Sequence, residues 1–260
     1  MYRLRELMKK RPVFGMTIYT GSPVAVEVAA AYGMDYLFID AEHTPLEVTD
    51  LKNLVLTAQY AGISALVRVA HTDEVEIRKA LEMGAEGVII PHVRTKKEME
   101  YCVRGAKFPP LGRRGYDSDV HAAHYGVGEF DASKYIEESN AEQLVMPMAE
   151  DFEFMENIDE ILAVPGVSAI SFGPADFALS KNIRKFYKLD EPEVDAALTE
   201  ILTKCAARNI DVMVPCLPPT YENAKNLVDR GAKMLTIGHD IMYMARTMDA
   251  LKNDVMDKFK

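Results

Sequence analysis

Short, unbroken apolar runs alternate with longer amphipathic ones along the whole chain. Runs of strand length with no polar alternation are what parallel strands covered on both faces require. They predict strands at 13–19, 36–40, 65–69, 87–91, 143–148, 167–172, 211–216 and 234–238. Between them, polar and apolar positions recur with helical period. The expected helices are 3–10, 23–32, 46–60, 74–83, 96–107, 132–139, 152–162, 193–208, 221–228 and a final one from 241. Ser22 and Asp73 read as N-caps, and Gly33, Gly62, Gly84 and Gly231 as helix stops. Eight strands, each followed by a helix and with no compositional break between them, predict an α/β fold. The expectation is one (β/α)8 TIM barrel over residues 1–260, with an N-terminal helix and a long C-terminal helix. Two connections are long, 109–131 and 178–191; the first belongs at the bottom of such a barrel.

Composition narrows the class. The chain has 260 residues and a net charge of -10, with its lysines and arginines scattered. That balance argues against nucleic acid or an anionic membrane as a partner. No apolar run is long enough to cross a bilayer, and the charged start, Met1 to Lys10, does not read as a signal peptide. Cys102, Cys205 and Cys216 have no metal-ligand spacing and read as reduced, buried thiols, so a cytoplasmic protein is expected. Neither Gly-x-Gly-x-x-Gly after the first strand nor a P-loop is present, which leaves nucleotide binding without a phosphate cradle.

In a barrel of this kind the chemistry sits at the carboxyl ends of the strands. Strand two ends in Asp40-Ala41-Glu42-His43, strand three carries Arg68, and strand four ends in Pro91-His92. Strand five runs into Glu150, strand six into Gly173-Pro174-Ala175-Asp176, and strand eight into Gly238-His239-Asp240. Glu150 and Asp176 leave neighbouring strands and make a seat for a hard divalent cation, which takes oxygen ligands. Arg68 lies inside an apolar strand, where an arginine needs a partner anion. His43 stands beside two carboxylates. No lysine occupies a strand end, and Lys181 and Lys233 lie far from one, so a Schiff-base mechanism lacks its nucleophile. His92 and His239 read as hydrogen-bonded rim residues, and His71, His121 and His124 as solvated loop residues.

The motifs Asp40-Ala41-Glu42-His43, Leu66-Val67-Arg68, 87–93 (GVIIPHV), 109–115 (PPLGRRG) and Gly173-Pro174-Ala175-Asp176 follow one another in an order that resembles the HpcH/HpaI family. That family comprises metal-dependent class II pyruvate aldolases, typified by 4-hydroxy-2-oxoheptanedioate aldolase. The resemblance spans about residues 13–245 and implies Mg2+, Mn2+ or Co2+ on Glu150 and Asp176. It implies a pyruvate whose carboxylate is held at Gly173–Asp176, Arg68 on the enolate oxygen, His43 as general base and an aldehyde as second substrate. It also implies a homo-hexamer, a trimer of dimers. Where the family has Leu-Asp-x-Gly this chain reads Leu81-Glu82-Met83-Gly84, and Glu82 is expected to pair with His43. The segment after Arg114-Gly115 also departs from the family pattern. A 2-oxo acid decarboxylase, a coenzyme A thioester lyase of the same superfamily and a non-catalytic barrel remain as alternatives.

Overall fold

The computed structural model describes residues 2–260. Eight parallel strands close into a barrel in chain order: β1 (Val13–Ile18), β2 (Tyr36–Asp40), β3 (Ser64–Arg68), β4 (Gly87–Ile90), β5 (Leu144–Ala149), β6 (Ala169–Phe172), β7 (Asp211–Pro215) and β8 (Met234–His239). The helices are α1 (Leu4–Lys10), α2 (Pro23–Ala31), α3 (Val48–Ala61), α4 (Glu74–Glu82), α5 (Lys96–Ala106), α6 (Ala132–Glu142), α7 (Phe152–Glu156), α8 (Ile158–Leu162), α9 (Pro174–Ser180), α10 (Pro192–Ala206), α11 (Tyr221–Asp229) and α12 (Asp240–Asp254).

Two apolar layers follow from strands that are buried on both faces. Tyr36, Phe38, Leu66, Ile89, Met146 and Met213 fill the barrel with their neighbours, and Leu4 and Met8 of α1 join that cluster. The opposite strand faces pack against the helices in the larger core. α1 closes the bottom because Glu86 accepts the free backbone N–H groups of Arg3 and Leu4, both at 2.8 Å. A carboxylate at a helix N-terminus is favoured both by the orphan donors and by the helix dipole.

Several boundaries differ from the sequence reading. The helix expected over 152–162 breaks at Asn157, whose side-chain amide donates to the Arg94 and Glu153 carbonyls. α3 starts at Val48 because Glu47 and Asp50 form a reciprocal capping pair. Asp73 caps α4 as expected, accepting from the N–H groups of Val75 and Glu76, whereas Ser22 occupies its cap position without a side-chain hydrogen bond. Residues expected to begin the second long connection are helical, since α9 runs through Ser180. The 109–131 connection does lie at the bottom. Arg114 binds Gln143 just before β5, and His121 binds Gln59 near the end of α3, so His121 is not a freely solvated residue.

The end of β8 is distorted. Gly15 pairs with Thr236 and Thr17 with His239, so β8 carries an extra residue there. Gly238 takes φ 127°, and a Cβ there would collide with Met242. Behind this bulge the buried Asp240 accepts from the N–H groups of Tyr19, Thr20 and Ile241 and from the Thr20 hydroxyl. α12 then leaves the barrel wall. Only Asp240 in it is buried, and Ile241, Met244, Met248, Leu251 and Val255 are exposed at spacings of three and four.

Candidate active site

Parallel pairing of β2 and β3 sets Asp40 opposite Arg68. Asp40 is fully buried and takes the guanidinium on two oxygens, from Nε at 2.9 Å and Nη2 at 2.5 Å. Its Oδ1 also accepts the N–H groups of Glu42 (2.9 Å) and His43 (3.3 Å), which shapes the turn that leaves β2. Arg68 Nη1 stands 2.9 Å from Glu42 Oε2, and that oxygen has no hydrogen-bond partner, so this contact is coulombic rather than a directed bond. Nη1 also reaches the Met148 sulfur at 3.7 Å, and the guanidinium lies over the Phe38 ring. Burial works against its charge, but the hydrogen bonds and charge of Asp40, with Glu42, outweigh it and raise its pKa.

Glu150 follows β5 and is 1% exposed. Its Oε1 accepts the His92 N–H at 2.7 Å. Burial pushes its carboxyl up to about 7; the His92 contact opposes this only in part. His92 has φ 52°, a left-handed conformation uncommon outside glycine, and several contacts hold it there. Besides the bond to Glu150, its Nδ1 meets Asp151 at 2.9 Å and its Nε2 stands 3.5 Å from Glu42. Burial alone would lower the imidazole pKa, but Asp151, Glu150 and Glu42 together raise it. Arg94 also holds Asp151, at 3.1 Å.

β6 pairs with β5 and ends at Phe172 beside Ala149. A Cβ on Gly173 would stand 2.7 Å from Glu150 Cβ and 2.9 Å from its Oε2, so only a bare backbone can pass this carboxylate. α9 opens directly afterwards and carries Asp176 in its first turn. Among the described residues Asp176 has no ion pair or hydrogen bond. The N–H groups of Ala175 and Asp176 likewise lack an acceptor. A cavity of about 150 Å³ lies here, lined by His43, Arg68, Met148, Gly173, Pro174, Ala175 and Asp176, with Tyr19 and Phe38. His43 is at its open rim, its side chain 55% exposed, with Nε2 3.6 Å from Glu42.

No group of three or more side chains suited to a metal occurs among the described residues. A hard cation such as Mg2+ needs fewer, being held by one or two carboxylates while water and substrate complete its shell. Glu150, desolvated and with Oε2 free of hydrogen bonds, and the unpaired Asp176 one turn into the next helix fit that donor set.

The sequence matches the profile of the HpcH/HpaI aldolase/citrate lyase family over residues 14–247. The chain belongs to that family. A 4-hydroxy-2-oxo-heptane-1,7-dioate aldolase of Shigella sonnei is 31% identical to this HpcH/HpaI chain over 242 residues, 93% of this chain and 89% of that one. A 2-dehydro-3,6-dideoxy-6-sulfogluconate aldolase of Pseudomonas putida is 27% identical over 238 residues, 92% of this chain and 90% of the relative. The crystal structure of an HpcH/HpaI aldolase from Desulfitobacterium hafniense superposes with a TM-score of 0.86 at 29% identity, covering 97% of each chain.

One expected member of this HpcH/HpaI site is elsewhere within the chain. Glu82 does not meet His43; its carboxylate is 3.7 Å from Arg78 on its own helix. It is the last residue of α4, which leads into the start of β4, so it lies at the opposite end of the barrel from His43. The fully buried Lys107 is also at that end, its ammonium on the Asn140 and Gln143 carbonyls. Burial brings its pKa down to about 7, but it is far from the strand ends and no candidate for a Schiff base. The sequence reading placed Asp40, Glu42 and His92 at strand ends without giving them a role, and did not name Asp151. Asp40 was legible in part, because an arginine in an apolar strand demands an anion. His92 is more than a rim residue, since three carboxylates surround it.

Proposed function

We propose that this chain makes or breaks the carbon–carbon bond between the enolate of pyruvate and an aldehyde, with Mg2+, Mn2+ or Co2+ as cofactor. The observation that carries this reading is the pairing, at one barrel mouth, of a desolvated Glu150 and an unpartnered Asp176 with the buried cation Arg68. The names of the aldolase relatives support it. Glu150 and Asp176 would hold the ion, which when bound supplies Lewis acidity at a keto oxygen.

The free N–H groups of Ala175 and Asp176, at the opening of α9, suit the carboxylate of a keto acid. Gly173 and Pro174 leave the space beside them open. Arg68, fixed by Asp40 and unable to swing away, faces the enolate oxygen as negative charge develops there. His43, at the open rim with Glu42 behind it, takes the methyl proton or returns it. Release of carbon dioxide from oxaloacetate would use the same enolate.

The decisive measurement is pyruvate release from a panel of 4-hydroxy-2-oxo acids and oxaloacetate, with EDTA and then with Mn2+ or Co2+ restored. Activity is expected to vanish with the chelator and return with the ion. Activity indifferent to EDTA removes the metal-dependent assignment.

We also propose that the exposed apolar stripe of α12 meets other copies in a homo-hexamer, a trimer of dimers. Sedimentation is expected to give six chains for the parent and fewer for Met248→Glu. A monomeric parent removes the proposal, and an unchanged mass in the variant removes this face from the contact.

A further inference from the structure

The chain treats the two oxygens of Glu150 differently. Oε1 accepts the His92 N–H at 2.7 Å. Oε2 lies on the side of β6, 2.9 Å from where a Cβ on Gly173 would stand. With one oxygen tied to the end of β4, the other is turned towards the residues that lead to Asp176. The donor that sorts the two oxygens is a backbone group, so its direction depends on the conformation of residue 92.

That conformation is left-handed, with φ 52°, and both chain neighbours, Pro91 and Val93, are buried. Between fixed neighbours, a residue that rejects this φ can fit only by turning the Pro91–His92 peptide plane, and the N–H turns with it. The imidazole holds the conformation in place. Its Nδ1 meets Asp151 Oδ2 at 2.9 Å, and a carboxylate only accepts, so the proton is on Nδ1. Asp151 is held in turn by Arg94, whose Nη2 donates to Oδ1 at 3.2 Å and whose Nε stands 3.1 Å from Oδ2. Arg94 follows β4 as His92 does, and Asp151 is the residue after Glu150, so these contacts tie the ends of two neighbouring strands together. His92, Arg94 and Asp151 do not line the cavity of about 150 Å³ that holds Arg68 and Asp176. Their route to it is through Glu150.

We propose that His92 is a positioning residue for the metal site: held left-handed by Asp151 and Arg94, it fixes Glu150 so that Oε2 alone is offered to the ion. The proposal rests on the reading of Glu150 as a metal ligand. A group that orients a ligating side chain is commonly worth about 10- to 100-fold in metal affinity.

The test is calorimetric titration of the metal-free protein with Mn2+ at a single pH, joined to the EPR spectrum of the bound ion. His92→Val, whose branched Cβ disfavours the left-handed region, is expected to weaken Mn2+ binding by about 10- to 100-fold and to change the zero-field splitting. His92→Gly can adopt the same φ but has no side chain to hold it there, so its affinity should fall between valine and parent. His92→Asn tolerates a left-handed backbone and its amide can donate to Asp151, so it should restore most of the affinity. Thermal melting of the metal-free proteins separates folding from binding. A residue that serves the fold alone would lower Tm and leave the affinity and spectrum of the folded protein unchanged. Folded valine and glycine variants that bind Mn2+ as the parent does overturn the proposal, and so does an asparagine variant no better than glycine. The glycine and asparagine pair decides the matter even if valine prevents folding. Glu150→Gln, titrated alongside, tests the ligand reading separately. If it binds Mn2+ like the parent, or the parent binds none, that reading fails and the role of His92 falls with it.

Discussion

Glu150→Gln is expected to abolish divalent-metal binding and to lower aldol cleavage by on the order of a thousandfold, the several kcal/mol that a Lewis acid contributes. The substitution keeps the shape and can still accept the His92 N–H, so the fold should survive. Removing this charge should even stabilise the metal-free protein. Burial raises the Glu150 carboxyl to about 7, above its value of 4.5 in an unfolded chain. Between those values the folded state binds more protons than the unfolded state, so stability falls as pH rises through that window. The glutamine variant lacks this loss and should exceed the metal-free parent at pH 8 by on the order of 2 kcal/mol. Metal binding has the opposite slope. The ion must displace the Glu150 proton, so below about pH 7 apparent affinity should drop roughly tenfold per unit. Calorimetry in buffers of different ionisation enthalpy would detect the released proton. A variant that binds Mn2+ as tightly as the parent would take Glu150 out of the metal site.

Arg68→Met is expected to affect both folding and chemistry. It strands Asp40, fully buried, without its cation, which costs about 3–5 kcal/mol, or roughly 10 °C in Tm for a chain of this size. Asp40→Asn combined with Arg68→Met removes the uncompensated charge, and the asparagine oxygen can still accept from Glu42 and His43. Most of the stability should therefore return. Deuterium exchange at the pyruvate methyl should not return, because the group facing the enolate oxygen is still missing. Exchange at the parental rate in the stable double variant would show that Arg68 serves the fold alone.

The chain order of the strands and the barrel they close were legible because that information is local. Each strand is an unbroken apolar run and each helix has its own period and stop. Glycine and proline mark where one gives way to the next. The same locality placed Glu150, Asp176 and Arg68 at strand ends. Boundaries that depended on side-chain capping, such as the start at Val48 and the break at Asn157, were not legible, because propensity does not say which polar group captures a free N–H.

Within one chain Glu82 and His43 are kept apart for a topological reason. Helical period assigns a face but not an end, and a residue in the last turn before a strand must sit at the bottom of a parallel barrel. The contacts that make up the site depend on barrel closure. Asp40 meets Arg68 through strand register, Glu42 stands near His92 across two strands, and His92 donates to Glu150 fifty-eight positions away.

The architecture and the kinds of group at the barrel mouth can be read from the chain alone, since burial pattern and residue chemistry are properties of short segments. Tertiary structure alone decided which carboxylate neutralises Arg68 and why Glu150 holds its proton up to about pH 7. Desolvation and ion pairing depend on what surrounds a side chain, and those surroundings are assembled from strands far apart in the chain.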